Sequence, residues 1–342
     1  MQIFKIVIIL LLSVYVMAQN DDEKPLYKYS KHKIGAAINI KTLRNDSVYA
    51  TFVARQFNAL TAENCMKMKQ IHPNRDTFYW DDTDYLVKYC IKNNLRLHGH
   101  ALYWHESVPD WVKNIKDSAT LEQQLKKHIQ TVVTRYKGKV ASWDVVNEFI
   151  APVSDSVRQT SIITLLGADF VQRAFIYARA ADPDVKLFYN DFLLEAFDGK
   201  NAALIRWLDD AKTKNIPIDG VGFQMHIGLD WPDSAGITRR LQEVVKRGYL
   251  IHFSELDIEN NNETRSVYTD SFAIALSSRY RTIAKIYMTV PEKQRYGITF
   301  WNVYDKETWL KRYFKRKYEW PLLFDENYKR KKAFYGFVSG LK

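Results

Sequence analysis

Two cysteines, Cys65 and Cys90, are all that 342 residues contain. This scarcity excludes a disulfide-stapled scaffold and a cysteine-built metal domain. Both read as buried small hydrophobes, Cys65 at the end of a strand and Cys90 on a helix. Proline and glycine are also sparse, at 9 and 13, and no Pro/Gly/Ser-rich linker or low-complexity tract breaks the chain after residue 25, which favours one large domain over two. Apolar runs long enough to cross a bilayer are missing. The run Ile6 to Val16, preceded by Lys5 and followed by Val16-Met-Ala18, has instead the pattern of a cleaved export signal. Residues 1–18 are therefore expected to be a signal peptide and 19–342 the working domain of a secreted protein, extracellular or periplasmic, without membrane contact after cleavage. The chain has no Gly-x-Ser-x-Gly elbow, P-loop, zinc-finger spacing or His-Glu-x-x-His helix. A serine hydrolase, a nucleotide-hydrolysing loop, a nucleic-acid reader and a metalloprotease are disfavoured together. His98, His100 and His105 cluster, but His98 and His100 are alternate positions on a strand and the three suit hydrogen bonding better than metal ligation, and neither metal nor cofactor is expected.

The charge is one-sided, at +11, and densest at Lys311, Arg312, Lys315, Arg316 and Lys317 and again from Lys329 to Lys332. It reads as a solvated basic face, with long-range attraction to an acidic chain as the functional alternative.

Strand-like runs alternate with stretches of helical period. The strands are expected at Lys33–Asn39, Phe57–Ala62, Leu95–Ala101, Ala141–Val146, Lys186–Tyr189, Gly220–Met225, Leu250–Ser254 and Tyr296–Phe300. Between them, Ser118 to Lys137 reads as a helix capped by Ser118, and Arg158 to Ala181 as another stopped by Asp182-Pro183. Eight such repeats predict a single-domain α/β fold, a (β/α)8 TIM barrel. A barrel of this kind keeps its active site at the C-terminal ends of its strands. Glu63 and Asn64, His100 and Trp104, Asn147 and Glu148, Asn190 and Asp191, Gln224 and His226, Glu255 and Asp257, and Trp301 all fall there.

Glu148 and Glu255 each close an apolar strand, where a carboxylate is costly to desolvate and is kept for chemistry. Two facing carboxylates among aromatic rings fit cleavage of a glycosidic bond, one protonated to release the leaving oxygen and the other ionised. Glu148, behind an apolar strand with Trp143, should have a raised pKa. Glu255, within reach of His226, should stay anionic. Trp104, Trp301 and Trp309 are candidate platforms for sugar faces.

The ordered motifs Phe57-Asn-Ala-Leu-Thr-Ala-Glu-Asn-Cys-Met-Lys67, Gly99-His-Ala-Leu-Tyr-Trp-His105, Trp143-Asp-Val-Val-Asn-Glu148, Asn190-Asp191, Gly220-Val-Gly-Phe-Gln-Met-His226, Ser254-Glu-Leu-Asp-Ile258, Phe300-Trp301 with Asp305 and Trp309, and Pro321-Leu-Leu-Phe324 resemble the family 10 glycoside hydrolases, whose best-known members are endo-β-1,4-xylanases. The resemblance implies a retaining double displacement on xylan and xylo-oligosaccharides by a monomer, with Glu148 as acid/base and Glu255 as nucleophile. It further implies that Glu63, Asn64, Lys67, His100 and Trp104 hold sugars on the non-reducing side of the cut, that Asn147 binds the 2-hydroxyl of the reacting sugar, that Gln224 and His226 support the nucleophile, and that Trp301 and Trp309 wall the cleft. The chain departs from the family pattern at Ser107, where Gln is usual, at Asn302, where Gly follows the Trp, at Lys332, where Pro is common, and in having Glu106 and the basic insert Lys311 to Lys317. Two other readings remain: a retaining glucanase on the same barrel, and a catalytically silent xylan-binding protein.

Overall fold

A computed structural model describes residues 24–260 and 265–342; the expected signal peptide lies outside them. Nine strands follow in order, β1 (Lys33–Ile38), β2 (Ala59–Ala62), β3 (Arg96–Trp104), β4 (Ser142–Asn147), β5 (Lys186–Asp191), β6 (Gly220–Phe223), β7 (His226–Gly228), β8 (Leu250–Glu259) and β9 (Arg295–Phe300). Every neighbouring pair is parallel, from β1–β2 through β5–β6, then β6–β8, β8–β9 and β9–β1. Eight strands thus close a (β/α)8 barrel, as the repeat pattern predicts, and β7 is a short extra strand that pairs only with the outer end of β8. The β-branched and aromatic strand bodies are buried on both faces, as a parallel sheet covered by helices requires.

Four strands outrun their predicted ends, β4 by one residue, β5 by two, and β3 and β8 by more. β3 reaches Trp104 and β8 reaches Glu259, and the lengthened parts of these two carry residues of the cleft. Their register slips between His100 and Tyr103 and between Phe253 and Leu256. Such irregularities re-aim side chains beside functional sites. Gly99 of β3 is required sterically, since a Cβ there would sit 2.1 Å from the Trp143 ring.

Local chemistry corrects three expectations. The helix Ser118–Arg135 is capped by Asp117, whose carboxylate accepts from Thr120 N at 2.7 Å, so Ser118 is its first residue. The segment read as one helix from Arg158 to Ala181 is two, Ser161–Leu166 and Phe170–Ala181, because Gly167 takes φ 76° and ends the first. Cys65 lies in a turn beyond β2, but both cysteines are buried as expected, and both are free. The C-terminal helix Lys332–Gly340 closes the barrel wall against Asp270–Met288, close enough that a Cβ on Gly336 would meet Ser277 O at 2.1 Å.

Candidate active site

Glu148 follows the last residue of β4 with φ 59°, a left-handed turn that lifts its side chain out of the strand direction. Its backbone N–H is held by Asn190 O at 2.9 Å and its carbonyl by Arg158 Nε at 2.9 Å. The carboxyl Oε1 accepts from Gln224 Nε2 at 3.1 Å and from Asn147 Nδ2 at 3.3 Å. Burial raises its pKa above the ordinary carboxylate value, and the negative charges of Glu255 and Glu106 add to that, against the pull of the Trp104 and Gln224 donors.

Glu255 sits mid-strand in β8 and is 5% exposed. Burial alone would raise its pKa, but the His226 hydrogen bond, the fields of His100 and His226, and the Asn190 amide outweigh it and hold the carboxyl below its usual value. His226 Nε2 lies 3.2 Å from Glu255 Oε2 and Nδ1 lies 2.9 Å from Asp257 Oδ1. Although burial opposes it, the Asp257 charge and these bonds raise the His226 pKa well above the ordinary value, which favours the protonated ring between the two carboxylates. Asp257 also accepts from Trp309 Nε1 at 2.7 Å, which fixes that indole over the His226 ring, 4.9 Å between centroids.

The two glutamates are joined through amides. Asn190 Nδ2 donates to Glu255 Oε1 at 2.7 Å and to Asn147 Oδ1 at 2.9 Å, while Ser254 Oγ donates to Asn190 Oδ1 at 2.5 Å. Gln224 gives its amide to Asn147 and Glu148 rather than to Glu255, which it holds through its backbone carbonyl, 3.0 Å from Glu255 N. The result is one carboxyl prepared to carry a proton and one prepared to stay ionised, with their pKa values pushed apart.

The remaining expected residues line the same opening. His100 Nδ1 shares Asp144 Oδ2 (2.8 Å) with His98, and its ring meets Trp301 edge-on at 5.4 Å. Lys67 is 8% exposed, places Nζ 4.5 Å over the Trp104 ring and donates to Asn64 Oδ1 at 3.2 Å. Burial lowers the Lys67 pKa, against the fields of Glu255, Glu63 and Glu148. Glu63 is buried, with Oε2 accepting from Asn302 Nδ2 at 3.3 Å and Oε1 from Arg312 Nη2 at 3.2 Å. All twelve residues named from the sequence therefore collect at one barrel mouth.

Four others belong with them: Asn190, Asp257, Asn302 and Arg312. Asn190 and Asp257 stood at strand ends in the sequence, but nothing in their spacing showed that they hold the glutamates and His226. Asn302 replaces the glycine usual after Trp301. Its φ is 97°, the left-handed region that favours glycine. The side chain that replaces the hydrogen accepts from Trp309 N at 3.3 Å and donates to Glu63. The basic insert is largely neutralised: Lys311 pairs with Glu326, Arg312 with Glu63, and Arg316 with Glu259 and Glu319.

A family model described as glycosyl hydrolase family 10 matches residues 23–340. An endo-beta-1,4-xylanase of Cellvibrio japonicus is 38% identical over 313 residues, 84% of this chain and 52% of that protein. A beta-1,4-xylanase of Dictyoglomus thermophilum is 34% identical, covering 92% of this chain and 90% of that one. Among solved structures, a xylanase of Cellvibrio japonicus in complex with xylopentaose superposes with TM-score 0.90 at 35% identity, over 94% of this chain and 69% of its own. The chain spans about half the length of the first curated relatives it matches.

Proposed function

The chain belongs to glycosyl hydrolase family 10, and from that premise we propose that it is a secreted endo-β-1,4-xylanase that cleaves internal bonds of xylan with retention of configuration. The observation that carries this reading is the opposed tuning of two carboxyls in one cleft, raised at Glu148 and lowered at Glu255. In the first step Glu148 donates its proton to the leaving glycosidic oxygen while the ionised Glu255 attacks the anomeric carbon. The C–O bond to the leaving sugar breaks and a glycosyl ester forms on Glu255. Glu148, now a carboxylate, takes a proton from water, whose oxygen displaces Glu255 and restores both groups.

The His226 ring and the Asn190 amide stabilise Glu255 as a carboxylate and so favour it both as nucleophile and as leaving group. Asn147, held by Asn190 and Gln224, is placed to meet the 2-hydroxyl of the reacting sugar. Glu63, Asn64, Lys67, His100 and Trp104 hold the sugars on the non-reducing side. Trp301 and Trp309 wall the cleft where xylose carries no C5 substituent and a glucose hydroxymethyl would be crowded. Export through the N-terminal signal and action as a monomer complete the reading, with no cofactor required.

A glucanase is the second reading, favoured by one relative named as an exoglucanase, from Acetivibrio thermocellus, 32% identical over 90% of this chain. Release of reducing ends from xylan and from carboxymethylcellulose separates the two. Xylan should be cut and carboxymethylcellulose left, with β-anomers appearing first by proton NMR. Faster release from carboxymethylcellulose, or α-anomers first, would reject the proposal.

A further inference from the structure

The barrel interior holds a line of buried polar side chains that no step of the reaction uses. Asp144 of β4 and His98 of β3 are 1% and 2% exposed. Asp144 Oδ2 faces two imidazoles at once, His100 Nδ1 at 2.8 Å and His98 Nε2 at 3.0 Å. Among the described residues no lysine or arginine pairs with it. Although burial opposes ionisation, the field of His98 and the His100 hydrogen bond hold the Asp144 carboxyl well below its usual range, so it is a carboxylate at neutral pH. A carboxylate only accepts, so each ring nitrogen that faces it must carry hydrogen.

The other edge of His98 is arranged to meet that demand. Its Nδ1 lies 2.6 Å from Ser142 Oγ, and Ser142 Oγ accepts from the Tyr296 hydroxyl. Burial raises the Tyr296 pKa and keeps that group a phenol, able to donate. Ser142, accepting there, gives its own hydrogen to His98 Nδ1, which leaves the hydrogen of the neutral ring on Nε2, facing Asp144. Packing holds the parts in place: Arg96 lies 3.8 Å over the Tyr296 ring, and His98 meets His252 edge-on at 4.9 Å and Phe188 at 5.7 Å. The hydrogens therefore run one way, from Tyr296 to Ser142 to His98 to Asp144, and His100 Nδ1–H meets the same oxygen from the cleft side. Resting on the xylanase reading above, we infer that His98 is a positioning residue for the sugar contact of His100. Through Asp144 it keeps the His100 hydrogen on Nδ1 and leaves Nε2 to accept from a substrate hydroxyl. The orientation of a functional ring by a carboxylate that is itself held in place is the same device that fixes the tautomer of other working histidines.

Imidazole nitrogen shifts, read by 15N NMR on the full chain without substrate, report the tautomer, and the His100 signal is identified as the one that His100→Gln removes. Wild-type His100 should carry its hydrogen on Nδ1. His98→Leu should move that hydrogen to Nε2 in a measurable share of molecules. The same variant should raise KM for 4-nitrophenyl β-xylobioside about tenfold, the low end of what losing a partner that orients a functional histidine costs, with kcat within about twofold of wild type. His98→Gln, whose amide N–H replaces Nε2–H toward Asp144, should restore both the tautomer and KM. Ser142→Ala, a small change that keeps the barrel packed, frees His98 to place its hydrogen on Nδ1 and should show the His98→Leu signature more weakly. An unmoved His100 tautomer in both His98→Leu and Ser142→Ala overturns the inference. So do equal losses in His98→Leu and His98→Gln, which would make His98 a packing residue. Failure of the wild type to cut the bioside would instead reject the xylanase reading, while the tautomer measurement tests the role of His98 by itself.

Discussion

Asn190→Ala removes a side chain that bridges Glu255 and Asn147. Asn190 is fully buried, and its amide reaches Glu255 at 2.7 Å and Asn147 at 2.9 Å. A hydrogen bond to a charged group contributes about 1.5 to 3 kcal/mol. At 1.36 kcal/mol per pKa unit, its loss should raise the Glu255 pKa by about one to two units. The direction follows from the role: Glu255 is held below its ordinary value and must be ionised to attack, so activity falls as pH drops through its pKa. Raising that pKa moves the acidic limb of the kcat/KM profile to higher pH. The basic limb, set by Glu148, should stay in place. At the optimum, kcat/KM should fall by about tenfold to 150-fold. Ser254→Ala, which loses only the hydroxyl that aims Asn190, should shift the same limb less. A purely structural role would lower activity evenly across pH with the acidic limb unmoved, and that profile would refute the reasoning.

Asn302→Gly should relieve the left-handed backbone strain yet free Glu63 on one side, raising KM for xylo-oligosaccharides about two- to tenfold with kcat unchanged, as expected for a weak hydrogen bond to a charged group. Lys331 donates to Asp305 and to the carbonyls of Trp320 and Leu322, each at 2.7 Å. Lys331→Met would strand a fully buried carboxylate, and urea denaturation should show a loss of about 3 to 5 kcal/mol. Because Lys311, Arg312 and Arg316 already have carboxylate partners, the rate ratio on glucuronoxylan over neutral arabinoxylan should change by less than about twofold as the Debye length falls from about 30 Å at 0.01 M salt to about 3 Å at 1 M.

The barrel was legible because its signal is local and repeated: each buried strand reads as a short apolar run, and polar or aromatic residues follow at the same barrel face. The strand ends of β3 and β8 were not, since continuation past His100 and Ser254 depends on register shifts against neighbouring strands. Asp117 displaced Ser118 as a helix cap because both types cap well and only the backbone decides between them. At the site, Glu148 and Glu255 stood out as charges closing apolar strands, and His226 was legible as a partner of Glu255. Asn190 is legible only as a strand-end polar group, and the resemblance sets Gln224 beside the nucleophile, whereas its amide meets Glu148 and the Asn190 amide meets Glu255, an assignment that is a matter of angles between strands. Asn302 and Arg312 were visible only as departures, because their common contact with Glu63 joins residues more than two hundred positions apart.

The most direct test of the mechanism is to trap its intermediate. A 2-deoxy-2-fluoro-β-xylobioside with a good leaving group slows both steps but spares the first when the leaving group needs no proton, so the glycosyl enzyme should accumulate. Peptide mapping by mass spectrometry should find one fluoroxylobiosyl group per chain, on the peptide containing Glu255, and none on a Glu255→Gln variant. A label on any other residue, or no label at all from an enzyme that still cuts xylan, would contradict the assignment of Glu255 as the nucleophile of a retaining reaction.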